Sequence, residues 1–259
     1  MKVAVLGCGP SFGIPNVGSG FGQCDPNEPK NTRMRSSILL EEGDTTLLFD
    51  TSPDLRQQLL LAQVRNIDAV LWTHMHADHT AGMDDLRALA FIKGEGITSL
   101  DGYLADWDVK EFSERFSYYI QPKPCSAMPP LLRLHTLTPG KVQKIKTAEV
   151  LPIQQEHGKR KSLGFRIGDF AYSTDFNHIS PEGLSALKGV RVWLVACQDL
   201  VRGGHAVHLC LNEILDLLKI VRPEKAYLTH MGTSLDYSDL SSRLPEYVRP
   251  SYDGLVINI

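Results

Sequence analysis

The feature that most constrains this chain is the segment 73–79, which reads THMHADH. It places three histidines and one aspartate within six residues, directly after the apolar run 69–72. Such a run is typical of a buried strand. Four polar side chains at the end of a buried strand are costly unless something pairs with them. The pattern therefore predicts a metal centre.

The composition limits the class of protein. A chain of 259 residues with 42% hydrophobic and 22% charged residues is ordinary for a globular protein with a substantial core. We treat 1–259 as a single domain. The net charge of -3 and the pI near 6.3 predict no bulk nucleic-acid binding.

Targeting signals and cysteines point to the cytoplasm. No run approaches the roughly 18 apolar residues of a membrane span, so we expect no membrane partner. The N-terminus has no cleavage-site pattern of a secretory signal. The five cysteines are odd in number and show no C-x-x-C spacing, which argues against a disulfide framework.

Strand and helix patterns are mixed along the chain, which indicates an α/β fold. Residues 2–7 predict a strand, 37–50 a hairpin, 53–62 and 81–90 helices, and 148–153 a further strand. The segment 91–135 is less regular. We interpret it as a cap or insert beside the site, and its aromatic residues also suit a homodimer contact.

Three more candidate ligands each follow an apolar run. They are His157, Asp175 and His230. With segment 73–79 this makes five histidines and two aspartates, a set that suits zinc, manganese or iron. Seven ligands exceed the four of one tetrahedral site, so we predict two divalent metal ions. Two such ions can activate one water molecule and hold an anionic substrate oxygen.

The motif HxHxDH, with the later His, Asp and His in this order, resembles the metallo-β-lactamase superfamily over nearly the whole chain. The resemblance implies a four-layer αββα sandwich. It also implies that one metal is bound by His74, His76 and His157. The second is then bound by Asp78, His79 and His230, and Asp175 bridges the two.

Within the superfamily the chain is most similar to the phosphodiesterase branch. This branch includes the phosphoribosyl cyclic phosphodiesterase of the carbon–phosphorus lyase pathway and, more remotely, the tRNA 3′-processing endonuclease. The matching stretches are GxGxSxGxP at 7–15, RxRSS at 33–37, YDG at 252–254, and His208 just before a helix. In the branch, a histidine that is not a ligand stands beside the metals at that last position.

One departure concerns a structural zinc. The carbon–phosphorus lyase enzyme holds it with a Cys-x-Cys-x-x-Cys cluster and a later histidine. Here only Cys24 remains of that cluster, and Thr233 stands where the histidine belongs. A lone cysteine does not make a zinc site. We therefore predict no structural zinc, and the exact substrate of that enzyme does not carry over.

The resemblance implies hydrolysis of a small cyclic phosphate or nucleotide-type phosphodiester by a metal-bridging hydroxide. Asp78 is then both a ligand and a catalytic residue that orients the hydroxide. We assign His208 the protonation of the leaving oxygen or the stabilisation of the oxyanion.

Four further residues are predicted to support the site. Arg33 and Arg35, together with Ser37, offer donors for phosphate binding. Asp50 ends a strand and is expected to hydrogen-bond a ligand imidazole. Its alternative role is to cap the helix 53–62.

Three other functions remain open at this point. A thiolester hydrolase of the same fold uses the same ligands. An RNA-processing nuclease needs a basic surface, for which only the short clusters 141–146 and 157–161 are available. A non-catalytic metal-binding module is the third alternative.

Overall fold

The strands form two sheets. In the computed structural model the described residues are 1–92, 99–121, 130–203 and 207–259. The strands of the first half are β1 (Lys2–Gly7), β2 (Ser37–Glu42), β3 (Thr45–Phe49), β4 (Ala69–Leu71), β5 (Leu100–Ala105) and β6 (Leu132–Leu137). Those of the second half are β7 (Gln143–Ile145), β8 (Ala148–His157), β9 (Arg160–Ile167), β10 (Phe170–Ser173), β11 (His178–Ile179), β12 (Val192–Ala196), β13 (Lys225–Thr229), β14 (Val248–Pro250) and β15 (Val256–Asn258).

Both sheets are mixed. The first has the order β15-β1-β2-β3-β4-β5-β6, and its last four strands run parallel. The second has the order β11-β8-β9-β10-β12-β13-β14, with β7 paired to β8 and the four strands from β10 to β14 parallel. The carboxyl ends of parallel strands share one edge of a sheet, which is where sites of such sheets commonly lie.

Helices connect the strands and cover the sheets. They are α1 (Leu55–Leu61), α2 (Ala77–Thr80), α3 (Leu86–Ile92), α4 (Val109–Arg115), α5 (Ser117–Ile120), α6 (Pro181–Leu187), α7 (Leu211–Val221) and α8 (Tyr237–Arg243). Short 3₁₀ turns occur at Pro29–Asn31, Met83–Asp85 and Asp106–Asp108. The two mixed sheets with their helices agree with the predicted α/β sandwich.

The alternation of side chains along β4 explains how the layers are held together. Ala69 and Leu71 belong to the core between the two sheets, whereas Val70 and the following Trp72 belong to a second core under the helices. Successive side chains of a strand point to opposite faces, so a run that is apolar at every position is buried on both. The ring of Trp72 packs on Phe112 of α4 at 4.7 Å between centroids.

Two predicted boundaries were wrong. The range 81–90, expected to be one helix, contains a 3₁₀ turn at Met83–Asp85 followed by α3. Gly82 stands before this turn, where its amide donates to Thr51 O at 2.9 Å and a Cβ would clash with Ser52 O. The strand expected to end at residue 153 continues to His157, because it pairs with β9 from Val150 to His157.

The segment 91–135, which we interpret from the sequence as a cap or insert, also contributes strands to the first sheet. β5 and the start of β6 are strands of the first sheet, and α4 and α5 connect them. Residues 93–98 and 122–129 lie outside the described residues.

The cysteines Cys8, Cys24, Cys197 and Cys210 are buried and free, and Cys125 lies outside the described residues. None of the helices in the described ranges has the length and apolar character that crossing a bilayer requires.

Candidate metal centre

The predicted metal motif begins just after β4 and continues into α2. His74 lies in the connection, and His76 is the N-cap of the helix with an extended backbone. Asp78 and His79 belong to this four-residue helix and are buried. The transition from strand to helix thus collects four ligand-type side chains at one end of β4.

Three further candidates come from strand ends in the second sheet. His157 is the last residue of β8, Asp175 lies two residues past β10, and His230 directly follows β13. Asp175 and His230 have left-handed backbones, with φ of 47° and 53°. Such conformations cost about 1–3 kcal/mol in residues other than glycine and persist where the surrounding structure enforces them. Both strained residues lie where a ligand-type side chain leaves its strand.

The seven side chains form two adjacent groups. In each group the potential ligand atoms all lie within 4.8 Å of one another. The first group is His74, His76 and His157, and the second is Asp78, His79, Asp175 and His230. The structure thus brings together all seven residues that the sequence singled out.

The carboxylate of Asp175 joins the two groups. Its Oδ2 lies 3.5 Å from His74 Nε2 of the first group and 2.5 Å from His79 Nε2 of the second. Its Oδ1 lies 3.0 Å from His230 Nε2. A carboxylate placed in this way can offer one oxygen to each of two neighbouring cations.

The residues present fit divalent metal ions. Buried polar atoms of native proteins are nearly always paired. Among the described residues, six buried atoms at the heart of the site have no partner in hydrogen-bond geometry, and they are His74 Nε2, Asp78 Oδ2, His79 Nε2, Asp175 Oδ1, His208 Nδ1 and His230 Nε2. Imidazole nitrogens and carboxylate oxygens together suit zinc, manganese or iron.

The charges around His79 also favour a cation. Burial works against a positive charge on this imidazole, yet the pKa of His79 is held well above its usual value. The carboxylates that outweigh burial are those of Asp78, Asp175 and Asp50. Burial likewise opposes the charge on Asp175, but His230 and His79 hold the pKa of its carboxyl well below the usual value.

Asp50 orients imidazoles of both groups. It is fully buried, and its Oδ2 lies 2.7 Å from His79 Nδ1. It also accepts hydrogen bonds from the backbone and the hydroxyl of Thr73. The Thr73 hydroxyl lies 3.0 Å from His74 Nδ1. With Nδ1 of each ring engaged, Nε2 is the nitrogen left free for a metal.

Asp50 does not cap α1, whose N-cap residue is Asp54. The role in that helix was the alternative given by the sequence. Asp50 has a left-handed backbone, with φ of 63°. It is therefore the third strained residue that lies at the end of a strand beside the site.

Two other imidazoles are held through contacts that the sequence did not reveal. His157 Nδ1 donates to Val207 O at 2.9 Å. His230 Nδ1 lies 3.1 Å from Ser36 Oγ, and that hydroxyl donates to Gly9 O at 2.9 Å. Ser36 and Gly9 belong to the RxRSS and GxG stretches, but the positions of these stretches relative to His230 depend on the tertiary fold.

The glycine at position 9 is required for this arrangement. A Cβ at Gly9 would lie 2.7 Å from Arg33 O and 2.9 Å from the Arg33 Cβ. Only a residue without a side chain lets the two segments approach so closely. The GxG loop therefore supports the site through packing, because it brings Ser36 within reach of His230.

His208 borders both groups. Its Nδ1 lies 3.3 Å from Asp175 Oδ1, and its ring centroid is 4.8 Å from that of His157 and 5.2 Å from that of His230. Burial lowers the pKa of His208 to about 3, against the opposing effect of Asp175. The ring also forms a potential ligand group with His157 and Asp175.

The expectation that Arg33 and Ser37 bind phosphate is wrong in this structure. Arg33 is buried, and its guanidinium donates to Asn31 Oδ1. It also donates to the backbone carbonyls of Lys30, Met231, Gly232 and Leu235. No N–H of Arg33 is left over for a ligand. The Ser37 hydroxyl is likewise buried and is directed at the carbonyls of Phe49 and Asp50.

Arg35 is the more accessible of the two arginines. Its Nε lies 3.0 Å from Asp54 Oδ2, and about a quarter of its side chain (26%) is exposed. Its backbone amide donates to the same carboxylate oxygen. Phosphate binding by Arg35 thus requires a guanidinium that already pairs with Asp54.

The position of the family's structural zinc holds other contacts in this chain. Cys24 Sγ lies 3.5 Å from Thr233 O, and the amide of Gln23 donates to the same oxygen at 2.9 Å. A Cβ at Gly22 would lie 2.5 Å from the Thr233 Cβ. Within the described residues, the potential metal groups all belong to the strand-end site.

The chain is similar in sequence to known proteins. An octanoyltransferase from Porphyromonas gingivalis is 30% identical over 257 residues, or 98% of this chain and 51% of that protein. The chain thus spans about half the length of that relative. A ribonuclease Z from Methanocaldococcus jannaschii is 24% identical over 225 residues, or 84% of this chain and 67% of that protein.

The fold has a close solved counterpart, and a family model covers the site. The crystal structure of a diphosphatase of the PhnP family is 26% identical, with a TM-score of 0.89 over 99% of this chain and 96% of that chain. The family model described as a beta-lactamase superfamily domain matches residues 45–231, a range that contains all seven candidate ligands. The chain therefore belongs to the β-lactamase superfamily.

Proposed function

We propose that the chain is a dinuclear metal-dependent phosphodiesterase that acts on a small cyclic phosphate or a nucleotide-type phosphodiester. The observation that carries the proposal is the position of Asp175 between two ligand groups, the second of which contains Asp78. Asp78 adds a carboxylate ligand for a second ion beside the three histidines of the first group. Two ions about 4 Å apart suit the transfer of a phosphoryl group between two oxygens.

The proposed ligands follow the two groups. His74, His76 and His157 hold the first ion, and Asp78, His79 and His230 hold the second, with Asp175 shared. We propose zinc or manganese, with iron as an alternative. When bound, divalent ions at such a site activate water as a nucleophile and neutralise negative charge on phosphoryl oxygens.

The chain's own residues orient these groups and move the proton. Asp50 and Thr73 fix which ring nitrogen of His79 and His74 faces the site. Asp78 is our candidate for orienting the attacking water. His208 has Nδ1 directed at Asp175, which leaves Nε2 as its other ring nitrogen. Nε2 can donate a proton to the leaving oxygen when the ring is in its imidazolium form, which Asp175 favours and burial opposes.

The comparisons support this substrate class. The solved relative of similar fold is described as a diphosphatase, and a curated relative that matches most of this chain is a ribonuclease Z. The ribonuclease relative keeps RNA processing as the second candidate function. The exposed hairpin turn after His157, with Lys159, Arg160 and Lys161, is the basic surface that such a substrate needs.

The test is turnover after metal analysis by mass spectrometry. The substrates are bis(p-nitrophenyl) phosphate, cyclic and linear nucleotides, a dinucleoside diphosphate, a precursor tRNA and an activated thiolester. We expect metal-dependent cleavage of the small phosphodiesters. Cleavage of the RNA alone would favour the nuclease. Turnover of the thiolester alone, or of none of these by a protein loaded with metal, would contradict the proposal.

A further inference from the structure

A chain of ion pairs and hydrogen bonds links α4 to two segments that carry candidate ligands. Arg115 Nη1 donates to Met75 O at 2.8 Å, and Met75 lies between His74 and His76. Arg115 Nη2 pairs with Glu111 Oε1 at 2.6 Å. The other oxygen of Glu111 pairs with Arg160 Nη1 at 3.0 Å.

The far end of this chain lies beside the third histidine of the first group. Arg160 opens β9 and is the direct partner of His157 across the hairpin. Glu111 therefore contacts two arginines, one on the backbone of the motif and one on the hairpin of His157. We call Arg115, Glu111 and Arg160 the arginine brace.

His76 is the ligand that most needs such support. Four other histidines of the site have Nδ1 within 3.1 Å of an oxygen that orients the ring. In the described part of the chain, the hydrogen-bond contact of the His76 ring is with His157 Nε2 at 3.3 Å, which is itself a candidate ligand atom. The direction of the His76 ring thus depends on the backbone that carries it.

The brace acts on that backbone. Arg115 Nη1 also donates to Thr80 Oγ1 at 3.2 Å, and this hydroxyl donates to His76 O at 2.9 Å. Arg115 thus contacts Met75 O directly and His76 O through the Thr80 hydroxyl. These are the backbone carbonyls before and after the Cα of His76. Charge-assisted bonds to a fixed carbonyl are among the stronger hydrogen bonds of a protein.

The helix that bears the brace is itself firmly placed. Phe112 is fully buried and packs on Trp72, two residues before His74. Lys161, next to Arg160, lies with Nζ 4.9 Å over the ring of Trp107. α4 and the 3₁₀ turn before it thus contact the segments on both sides of the first group.

We propose that the arginine brace is a positioning device for the first metal site, formed by His74, His76 and His157. The inference rests on the proposed dinuclear function. Arg115, Glu111 and Arg160 touch neither metal nor substrate in this proposal, and they act through the backbones of Met75, His76 and the hairpin. Partly exposed ion pairs contribute only about 0–1 kcal/mol to folding. Disrupting the brace therefore loosens the site with little effect on the fold.

The experiment measures metal retention. Purified variants are dialysed against graded chelator, and the ions per chain are counted by mass spectrometry. We expect Arg115→Met to lose one ion at about 10-fold lower chelator than the unmodified protein, as is typical when a residue that orients a ligand is removed. Glu111→Gln should shift the same curve, and Arg115→Lys should restore part of the retention.

Two reference variants identify the ion that is lost. His157→Ala defines the curve of a chain without the first site, and His230→Ala that of a chain without the second. The matched control is Lys110→Met on the same helix, whose exposed ammonium lies 4.0 Å from Glu114 and outside the brace. Thermal unfolding of the metal-free proteins shows whether each variant is folded.

The outcomes separate the brace from the dinuclear site. Retention curves of Arg115→Met and Glu111→Gln that coincide with that of Lys110→Met would overturn the brace. So would a loss confined to the second ion. An unmodified protein that binds fewer than two ions would overturn the dinuclear proposal. If Arg115→Met does not fold, the Glu111→Gln curve decides, because that change conserves side-chain shape.

Discussion

The carboxylate of Asp50 lies 2.7 Å from His79 Nδ1, and both residues are completely buried. The same carboxylate holds Thr73, whose hydroxyl contacts His74. One residue outside both ligand groups thus orients an imidazole in each of them. This relationship makes the two proposed metal sites interdependent.

Replacing Asp50 should therefore weaken both sites together. For Asp50→Ala we expect metal affinity to fall by about 10- to 100-fold at each site, because His79 loses its orienting acceptor and the Thr73 hydroxyl that contacts His74 loses the carboxylate that fixes it. The measurement is metal content after dialysis against graded chelator. Asp216→Ala, an exposed carboxylate paired with Lys219, is the control. Loss of a single ion would show that the shared role is mistaken.

The two aspartates of the second group should differ in their effect on metal content. Asp78 belongs only to the second group, whereas Asp175 contacts both. We expect Asp78→Ala to retain about one ion per chain, and Asp175→Ala to weaken both sites. Elemental analysis of the two variants tests this difference. Two tightly held ions in Asp78→Ala would exclude the proposed role of this aspartate.

His208 should affect turnover rather than metal content. The ring borders Asp175 but is not required by either group of ligands. For His208→Ala we expect two ions per chain and turnover of bis(p-nitrophenyl) phosphate about 10²- to 10⁴-fold lower. Full turnover with both ions bound would contradict the assignment. Loss of an ion would instead make His208 a ligand.

Arg33 should contribute to stability, and Arg35 much less. Among the described residues, Arg33→Met leaves the carbonyls of Met231 and Leu235 without a donor, whereas Gly232 O keeps the amide of Leu235. We expect a loss of about 3 kcal/mol or more in the free energy of unfolding. Arg35→Met removes a partly exposed ion pair worth about 1 kcal/mol or less. Denaturant unfolding of both metal-free variants measures the difference, and equal losses would contradict the structural role of Arg33.

Asp108 should make stability depend on pH. Burial and the nearby Glu111 raise the pKa of this carboxyl to about 7. The pKa of an aspartate in an unfolded chain is about 3.9. The folded protein therefore binds this proton more tightly than the unfolded chain. The contribution to stability is therefore present below about pH 4 and is lost as the pH rises to about 7.

The variant Asp108→Asn tests this dependence. It should raise stability at pH 8 by at least about 1 kcal/mol, or about 2–4 °C in Tm, and leave stability at pH 4 little changed. Thermal unfolding of the metal-free proteins across this pH range is the measurement. Parallel profiles for the two proteins would show that Asp108 is ionised at neutral pH in the folded state.

The sequence by itself determined the candidate ligands and the fold class. Local patterns sufficed for this, because the buried run before His74 and the order of His157, Asp175 and His230 are visible without coordinates. The superfamily fold follows from the same motif. Strands such as β4 also followed from apolar runs, since a strand buried on both faces is apolar at every position.

The tertiary structure alone decided how these residues are held. The left-handed backbones of Asp50, Asp175 and His230 are imposed by their surroundings, and no local pattern encodes them. The guanidinium of Arg33 donates to carbonyls about 200 positions away in the chain. The spacing within RxRSS therefore could not distinguish a buried arginine from a phosphate ligand. The arginine brace likewise joins residues that become neighbours only when the sheets pack, because long-range contacts are set by packing and not by sequence period.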